Sequence, residues 1–263
     1  MKRFTERSRR GCAAGLATAC ALAWLASSHT AEASSFSVSP TQIFLTRTAT
    51  SRLITLRNES DRLLRFQLTA FKWDQGTDGQ MKLDPTTDVV FFPTLLSLGP
   101  KEEKKVRIGA VTPFAVTEKT YRIFIQELPP AADAGPAVGV AVLTRLGIPI
   151  FMRPAKEVAQ ATLKDLSLED RTFSFALANT GSVHFLPERI VVSGAGRNGE
   201  QLFAREINAW YVLAGGTRVF EAQFDQAECE RLAALAVEVK ISGSVLKERL
   251  EISPAACKTT AGS

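Results

Sequence analysis

AVGVAVLTRLGIPIFMR, residues 137–153, has the pattern of one long extended run. Val138, Val140, Val142 and Thr144 fall on one face of a strand, and Ala137, Ala141, Leu143 and Arg145 on the other. A side-chain period of two belongs to a strand, and β-branched residues suit its pleated surface. At a sheet edge, such a strand can template pairing with another chain. Pattern alone leaves two readings open. The run is a buried central strand, or it is an edge offered to a partner that lacks a strand.

Upstream, the same period recurs between turns. Ser35–Leu45 (SFSVSPTQIFL) sets Phe36, Val38 and Ile43 as apolar points, with Pro40 suited to an edge or a bulge. Arg52–Arg57 and Leu64–Trp73 flank the polar turn Asn58-Glu59-Ser60-Asp61. In the second of these, Phe66, Leu68 and Ala70 point one way, and Phe71 and Trp73 the other. Val89–Leu98, Lys104–Ala110 and Tyr121–Leu128 follow, with the charged run at Lys101–Lys105 reading as a solvated hairpin end. Downstream, Ala161–Leu168, Thr172–Leu177, Arg189–Ser193, Gln201–Ala204 and Thr217–Phe224 are candidate strands. Ala236–Ile241 and Leu246–Ile252 form a terminal hairpin about Gly243-Ser244, and Glu228–Leu235 is the best helical turn. Many short strands and few helices predict an all-β chain of two packed-sheet sandwiches. The long run ends near Pro154–Val158, which sets the domains at residues 34–155 and 156–263.

Residues 1–33 read as an address. Lys2, Arg3, Arg7, Arg9 and Arg10 precede an uncharged apolar run at residues 11–26, and Ala31 and Ala33 form an A-x-A site. That is a secretory signal peptide cut after Ala33. The apolar run is shorter than the ~20 residues of a membrane span. Ser8-Arg9-Arg10 raises twin-arginine export as the alternative to the general route. Cleavage leaves 27 basic and 25 acidic residues, so the formal charge falls from +5 to +2. A charge this small gives no support for nucleic-acid binding, which wants a concentrated basic face. Cys12, Cys20 and His29 leave with the leader. Two cysteines remaining in an oxidising compartment, Cys229 and Cys257, are expected to pair. The loop they close is worth roughly 3.5 kcal/mol on the chain-entropy model.

Motifs for catalysis are weak. Gly194-Ala195-Gly196-Arg197-Asn198-Gly199 matches G-x-G-x-x-G, but no long helix follows it, so it reads as a hairpin loop. No G-x-S-x-G elbow occurs. One histidine, His184, cannot build a multi-histidine metal site, and beside a turn its expected role is structural. The chain is read as no enzyme, with no cofactor, metal site or small-molecule substrate.

The order and spacing of SFSVSPTQIFL, LRNESDRLLRFQLTAFKW, FFPTLLSLGPKEEKKVRI, YRIFIQELPP, LTRLGIPIFMRP and LANTGSVHF resemble a periplasmic pilus-assembly chaperone of the chaperone–usher type. The GIPIFMRP ending and the ELPP element are most similar to the archaic branch, and the short loop Ala131–Pro136 to the short-loop type. The resemblance spans the chain beyond the leader. It implies two immunoglobulin-like β-sandwich domains in an L or boomerang, with an interdomain cleft. It implies that the long strand is lent to pilin, fimbrial or spore-coat-like subunits that lack their final strand, before delivery to an outer-membrane usher. Val138, Val140, Val142 and Thr144 are then the subunit-binding strand. Burying two valines and a threonine methyl is worth a few kcal/mol at ~25 cal/mol per Å². Self-association of the free chaperone through its exposed strands stays open.

One departure matters. The family anchors the subunit's terminal carboxylate with two cleft bases, and the matching positions here are Gln42 and Pro149. Candidates for a relocated anchor are Arg107 and Arg122, then Arg145 and Arg153. Arginine grips a carboxylate in a bidentate way. The loss of both bases keeps a second reading open, that of a secreted two-domain adhesive or ligand-binding module.

Overall fold

The computed structural model describes residues 35–129, 142–253 and 256–257. The leader, Val138 and Val140 lie outside the described residues.

The first sandwich contains β1 (Phe36–Ser39), β2 (Ile43–Leu45), β3 (Ser51–Asn58), β4 (Leu64–Gln75) and β5 (Met81–Pro85). It continues with β6 (Val89–Phe92), β7 (Leu95–Leu98), β8 (Glu103–Ala110), β9 (Lys119–Glu127) and β10 (Arg145–Met152). One sheet runs β1-β3-β8-β6, and the other β2-β10-β9-β4-β5 with β7 on β4. Pro40 splits the first predicted strand. β1 pairs with β3 in one sheet and β2 with β10 in the other, so the chain changes sheets at the proline. Alternation then fills the space between the sheets. Ile54, Leu56, Phe66, Leu68, Val106, Ile108, Ile123, Ile125, Ile148 and Ile150 are all buried there. Asn58 pins the turn that follows β3, its side-chain amide donating to the carbonyls of Arg62, Leu98 and Gly99.

The second sandwich contains β11 (Ala161–Glu169), β12 (Thr172–Asn179), β13 (Arg189–Ala195), β14 (Gln201–Ile207) and β15 (Thr217–Gln223). After these come α1 (Gln226–Arg231), β16 (Ala234–Ile241) and β17 (Ser244–Glu251). Its sheets run β11-β12-β15 and β14-β13-β16-β17 around Phe173, Phe175, Leu177, Ile190, Val192, Phe220, Val237 and Val239. Both sandwiches are immunoglobulin-like. The glycine-rich motif is a hairpin loop between β13 and β14, closed by Gly196 N–H to Glu200 O at 2.9 Å. The helical turn starts earlier than its pattern suggested, because Asp225 and Glu228 form a capping box at its N-terminus. Residues 234 and 235, placed in that turn by sequence, belong instead to β16. Cys229 and Cys257 form a disulfide, buried against the second core. No helix among the described residues is long and apolar enough to cross a membrane.

Candidate functional site

Every residue of β10 pairs with β9, but only Ile150, Phe151 and Met152 also pair with β2, in parallel. The other side of residues 145–149 therefore has no strand beside it among the described residues. Hydrogen bonds fix which groups face that lane. Glu127 N–H donates to Thr144 O at 2.9 Å on the β9 side, and Arg153 N–H to Leu45 O at 2.9 Å on the β2 side. Backbone direction alternates along a strand. Arg145 and Gly147 thus turn their N–H and C=O groups into the lane. Pro149 sits at a lane-facing position, so its missing N–H costs the β9 ladder nothing.

Side chains on this strand change from buried to exposed as it leaves the sandwich. Ile148 and Ile150 are 1% and 0% exposed, whereas Leu146 is 37% and Val142 60% exposed. Alternation carries Val142, Thr144 and Leu146 on the face of Ile148. Of the expected long extended run, the described part is a strand only over Arg145–Met152. Thr144 is held to Glu127 by its carbonyl, and by its N–H to the Glu127 carboxylate at 3.3 Å.

The lane is closed at one end. Register continues from Ile150 opposite Ile43 to Pro149 opposite Gln42. Gln42 donates its side-chain amide to the phenol oxygen of Tyr211, which comes from the second sandwich. Tyr211 meets Trp73 edge-on at 5.7 Å and Phe151 at 5.8 Å. Trp73, Phe151, Tyr211 and Leu213 make a small buried cluster between the sandwiches, flanked by Phe44 and Leu83. His184 stacks on Phe151 at 3.6 Å between ring centres, and its Nδ1 lies 2.6 Å from Glu118 Oε1. The His184 backbone N–H also donates to Glu118 Oε1, at 3.1 Å, and this contact joins the two sandwiches.

Three of the four candidate arginines share the outer face of the β9–β10 sheet, each over an aromatic ring. Arg145 lies 4.1 Å from the centre of Phe124, Arg122 4.5 Å from Trp73, and Arg153 4.1 Å from Phe44. Arg122 stands opposite Pro149 in register and is only 8% exposed. Its Nε has no hydrogen-bond partner among the described residues, and burial pushes its pKa below the usual arginine range, with Tyr211 acting in the opposite sense. A Cβ on Gly147 would come within 2.9 Å of the Phe124 ring and 3.6 Å of an Arg122 nitrogen. Bare backbone at residue 147 is what lets these side chains lie across β10. Arg153 is committed to Glu157 at 2.9 Å. Arg107 is elsewhere. It sits on β8 in the opposite sheet, level with Leu53 and Phe92, and donates to Ser51 Oγ.

Buried side-chain polar atoms without partners gather at the boundary of the sandwiches. Among the described residues they are Trp73 Nε1, Gln75 Nε2, Arg122 Nε, Arg153 Nε, Arg218 Nε and one further Arg218 nitrogen, against a single acceptor, Glu118 Oε2. The boundary is rich in donors and poor in acceptors. Sequence reading missed Tyr211, Trp210 and Glu118, which reach the cleft from distant segments. Trp73 and Phe151 carried a signal. An apolar outer face on a strand whose inner face is already apolar needs a second cover.

Residues 35–157 match the family model described as pili and flagellar-assembly chaperone, PapD N-terminal domain. No curated protein sequence matches the chain. Among solved structures, the class 5 fimbriae chaperone CfaA is similar at TM-score 0.55 and 12% identity, over 83% of this chain and 100% of its own. The CsuC–CsuE chaperone–tip adhesion subunit complex of archaic Csu pili from Acinetobacter baumannii matches at 0.55 and 17%, over 82% and 97%. The SafA pilin–SafB chaperone complex of Salmonella enterica matches at 0.54 and 12%, over 83% and 98%. At these identities the structural likeness speaks to the fold, and that fold is two sandwiches as the sequence implied.

Proposed function

We propose that this chain holds pilin-type subunits by giving them the open edge of β10, a reading supported by the match of residues 35–157 to the family model of pili and flagellar-assembly chaperones. The single observation that carries this reading is the unpaired lane beside residues 145–149. An extended segment entering it would pair with the backbone of Arg145 and Gly147 and bury Leu146, Val142 and Thr144 in its own groove. The chaperone role is non-catalytic, in keeping with the absence of a catalytic motif in the sequence.

A subunit chain held in this lane would stop at β2. β2 fills it from Ile43 onward, so a segment running parallel to β10 ends against Gln42 and Tyr211. A terminal carboxylate there would lie beside Arg122, across from Pro149. Arg122 takes the place of the two bases replaced by Gln42 and Pro149. It is buried, stacked on Trp73 and short of an acceptor, which is the condition under which a guanidinium grips a carboxylate most strongly. Arg145 is the next base along the same face. Arg107, on the opposite sheet, takes no part, and Arg153 serves Glu157. Export by residues 1–33 places the protein in the periplasm, and the loaded complex is delivered to an outer-membrane usher.

The test is co-expression of the tagged chain with the small secreted proteins encoded beside it, followed by intact mass measurement. The expected result is a one-to-one complex with a protein that aggregates when made alone. A clean monomer, with those neighbours soluble without it, would return the reading to an adhesive module.

A further inference from the structure

The turn between β4 and β5 reaches across to the second sandwich. Among the described residues, β15 is an edge strand paired with β12 alone. Val219 N–H, on its free side, donates to Thr77 O at 2.7 Å. One residue earlier, Arg218 lies over the turn. A Cβ on Gly79 would come within 2.8 Å of Arg218 Nε. Gly79 also has φ +82°, a conformation that L side chains adopt only with strain. The Arg218 side chain is flattened between this turn and the Phe220 ring, 4.8 Å away. Loss of water around Arg218 lowers its pKa. The turn therefore occupies one ladder position on an otherwise open sheet edge.

We propose that the β4–β5 turn is an interdomain latch, in which Thr77 and Gly79 hold the edge of β15 and so keep Tyr211 and Leu213 seated on Trp73. The connectivity explains the leverage. Trp73 and Thr77 belong to one stretch of β4 and its turn. Leu213 and Val219 belong to one stretch leading into β15, braced by Gly216 N–H to Leu213 O at 2.9 Å and Asn179 N–H to Gly216 O at 2.8 Å. Two short stretches thus touch at both of their ends. Glu118 N–H to Ser182 O at 2.8 Å is a separate tie. The latch stands independently of what binds at β10.

Tryptophan emission reads this boundary directly, since Trp73 and Trp210 are the tryptophans beyond the leader and Trp210 packs on Tyr211. The variants are Gly79→Ala and Val219→Pro, with Gly199→Ala as the matched control. Gly199 has φ +79° but open space around its Cβ position, so it reports backbone strain without a clash. Val219→Pro deletes the N–H that meets Thr77 and none that meets β12. Both latch variants should keep the far-ultraviolet sheet signal, shift tryptophan emission to the red and show about twofold more acrylamide quenching, as local opening requires. Gly199→Ala should match the unaltered chain. Emission and quenching in Val219→Pro equal to those of Gly199→Ala would overturn the latch, whatever Gly79→Ala does. So would loss of the sheet signal in Val219→Pro, because that N–H would then belong to the sandwich itself.

Discussion

Arg122, the proposed anchor, would be costly to the free protein and useful to a complex. Its guanidinium is buried over Trp73, with Nε unpaired among the described residues. An unpaired buried donor destabilises by about 1–3 kcal/mol. Replacing it with methionine keeps the volume over Trp73 and removes that penalty. Arg122→Met is therefore expected to hold or raise the melting temperature while cutting subunit capture about 10- to 100-fold, the worth of a charge-assisted pair at ~1.5–3 kcal/mol. Arg122→Lys should not restore capture, since an ammonium neither stacks nor forks. Arg107→Ala should leave the yield of complex unchanged. Titration of subunit binding against these three proteins checks all of it, and equal affinity in Arg122→Met would remove the anchor. Spacing alone could not rank these arginines. Arg107 and Arg122 each sit in a strand of alternating residues, and only the assignment of their strands to different sheets separates them.

β10 carries the change from core to edge within one element. Ile148 is buried and Leu146 two residues earlier is partly exposed, so one face serves two purposes. Aspartate placed along it should have opposite effects at the two ends. Val142→Asp and Leu146→Asp should abolish subunit capture and leave the fold intact, because water still reaches both positions. Ile148→Asp should unfold the first sandwich, costing on the order of 4 kcal/mol or more for an unpaired charge in the core. Thermal melts beside capture assays separate these outcomes. Unfolding by Val142→Asp would mean the upstream run is core. The alternation was legible in the sequence, but the change of sheets at Pro40, expected only to suit an edge or a bulge, was not. What could not be read was where β10 loses its second neighbour. That depends on β2 being three residues long and joining the other sheet, a consequence of chain path rather than of local pattern. β5 was likewise missed, since MKLDP is mostly polar and exposed, and its pairing with β4 is what defines it.

At the scale of the molecule, two cores are joined by a boundary of mixed character. Each core follows from strand alternation, which is why two all-β units could be read from the chain. The cysteine pair could also be read, from the count remaining after the leader. It closes a loop of 28 residues within the second sandwich. Cys229→Ser with Cys257→Ser should therefore lower stability by roughly 3.5 kcal/mol. In a denaturant melt, probes in the second sandwich should move first. A shift confined to the first sandwich would contradict that assignment. The boundary itself was hidden. Glu118 meets His184 across 66 residues and Gln42 meets Tyr211 across 169, and no window of sequence brings such pairs together. Subunit capture as proposed depends most on the open lane beside β10. Amide hydrogen exchange across residues 142–149, measured in the free protein and in the purified subunit complex, examines that lane directly. The lane-facing amides of Arg145 and Gly147 should exchange readily in the free protein and become strongly protected in the complex. A stable complex in which those two amides exchange as fast as in the free protein would show that the subunit is held elsewhere.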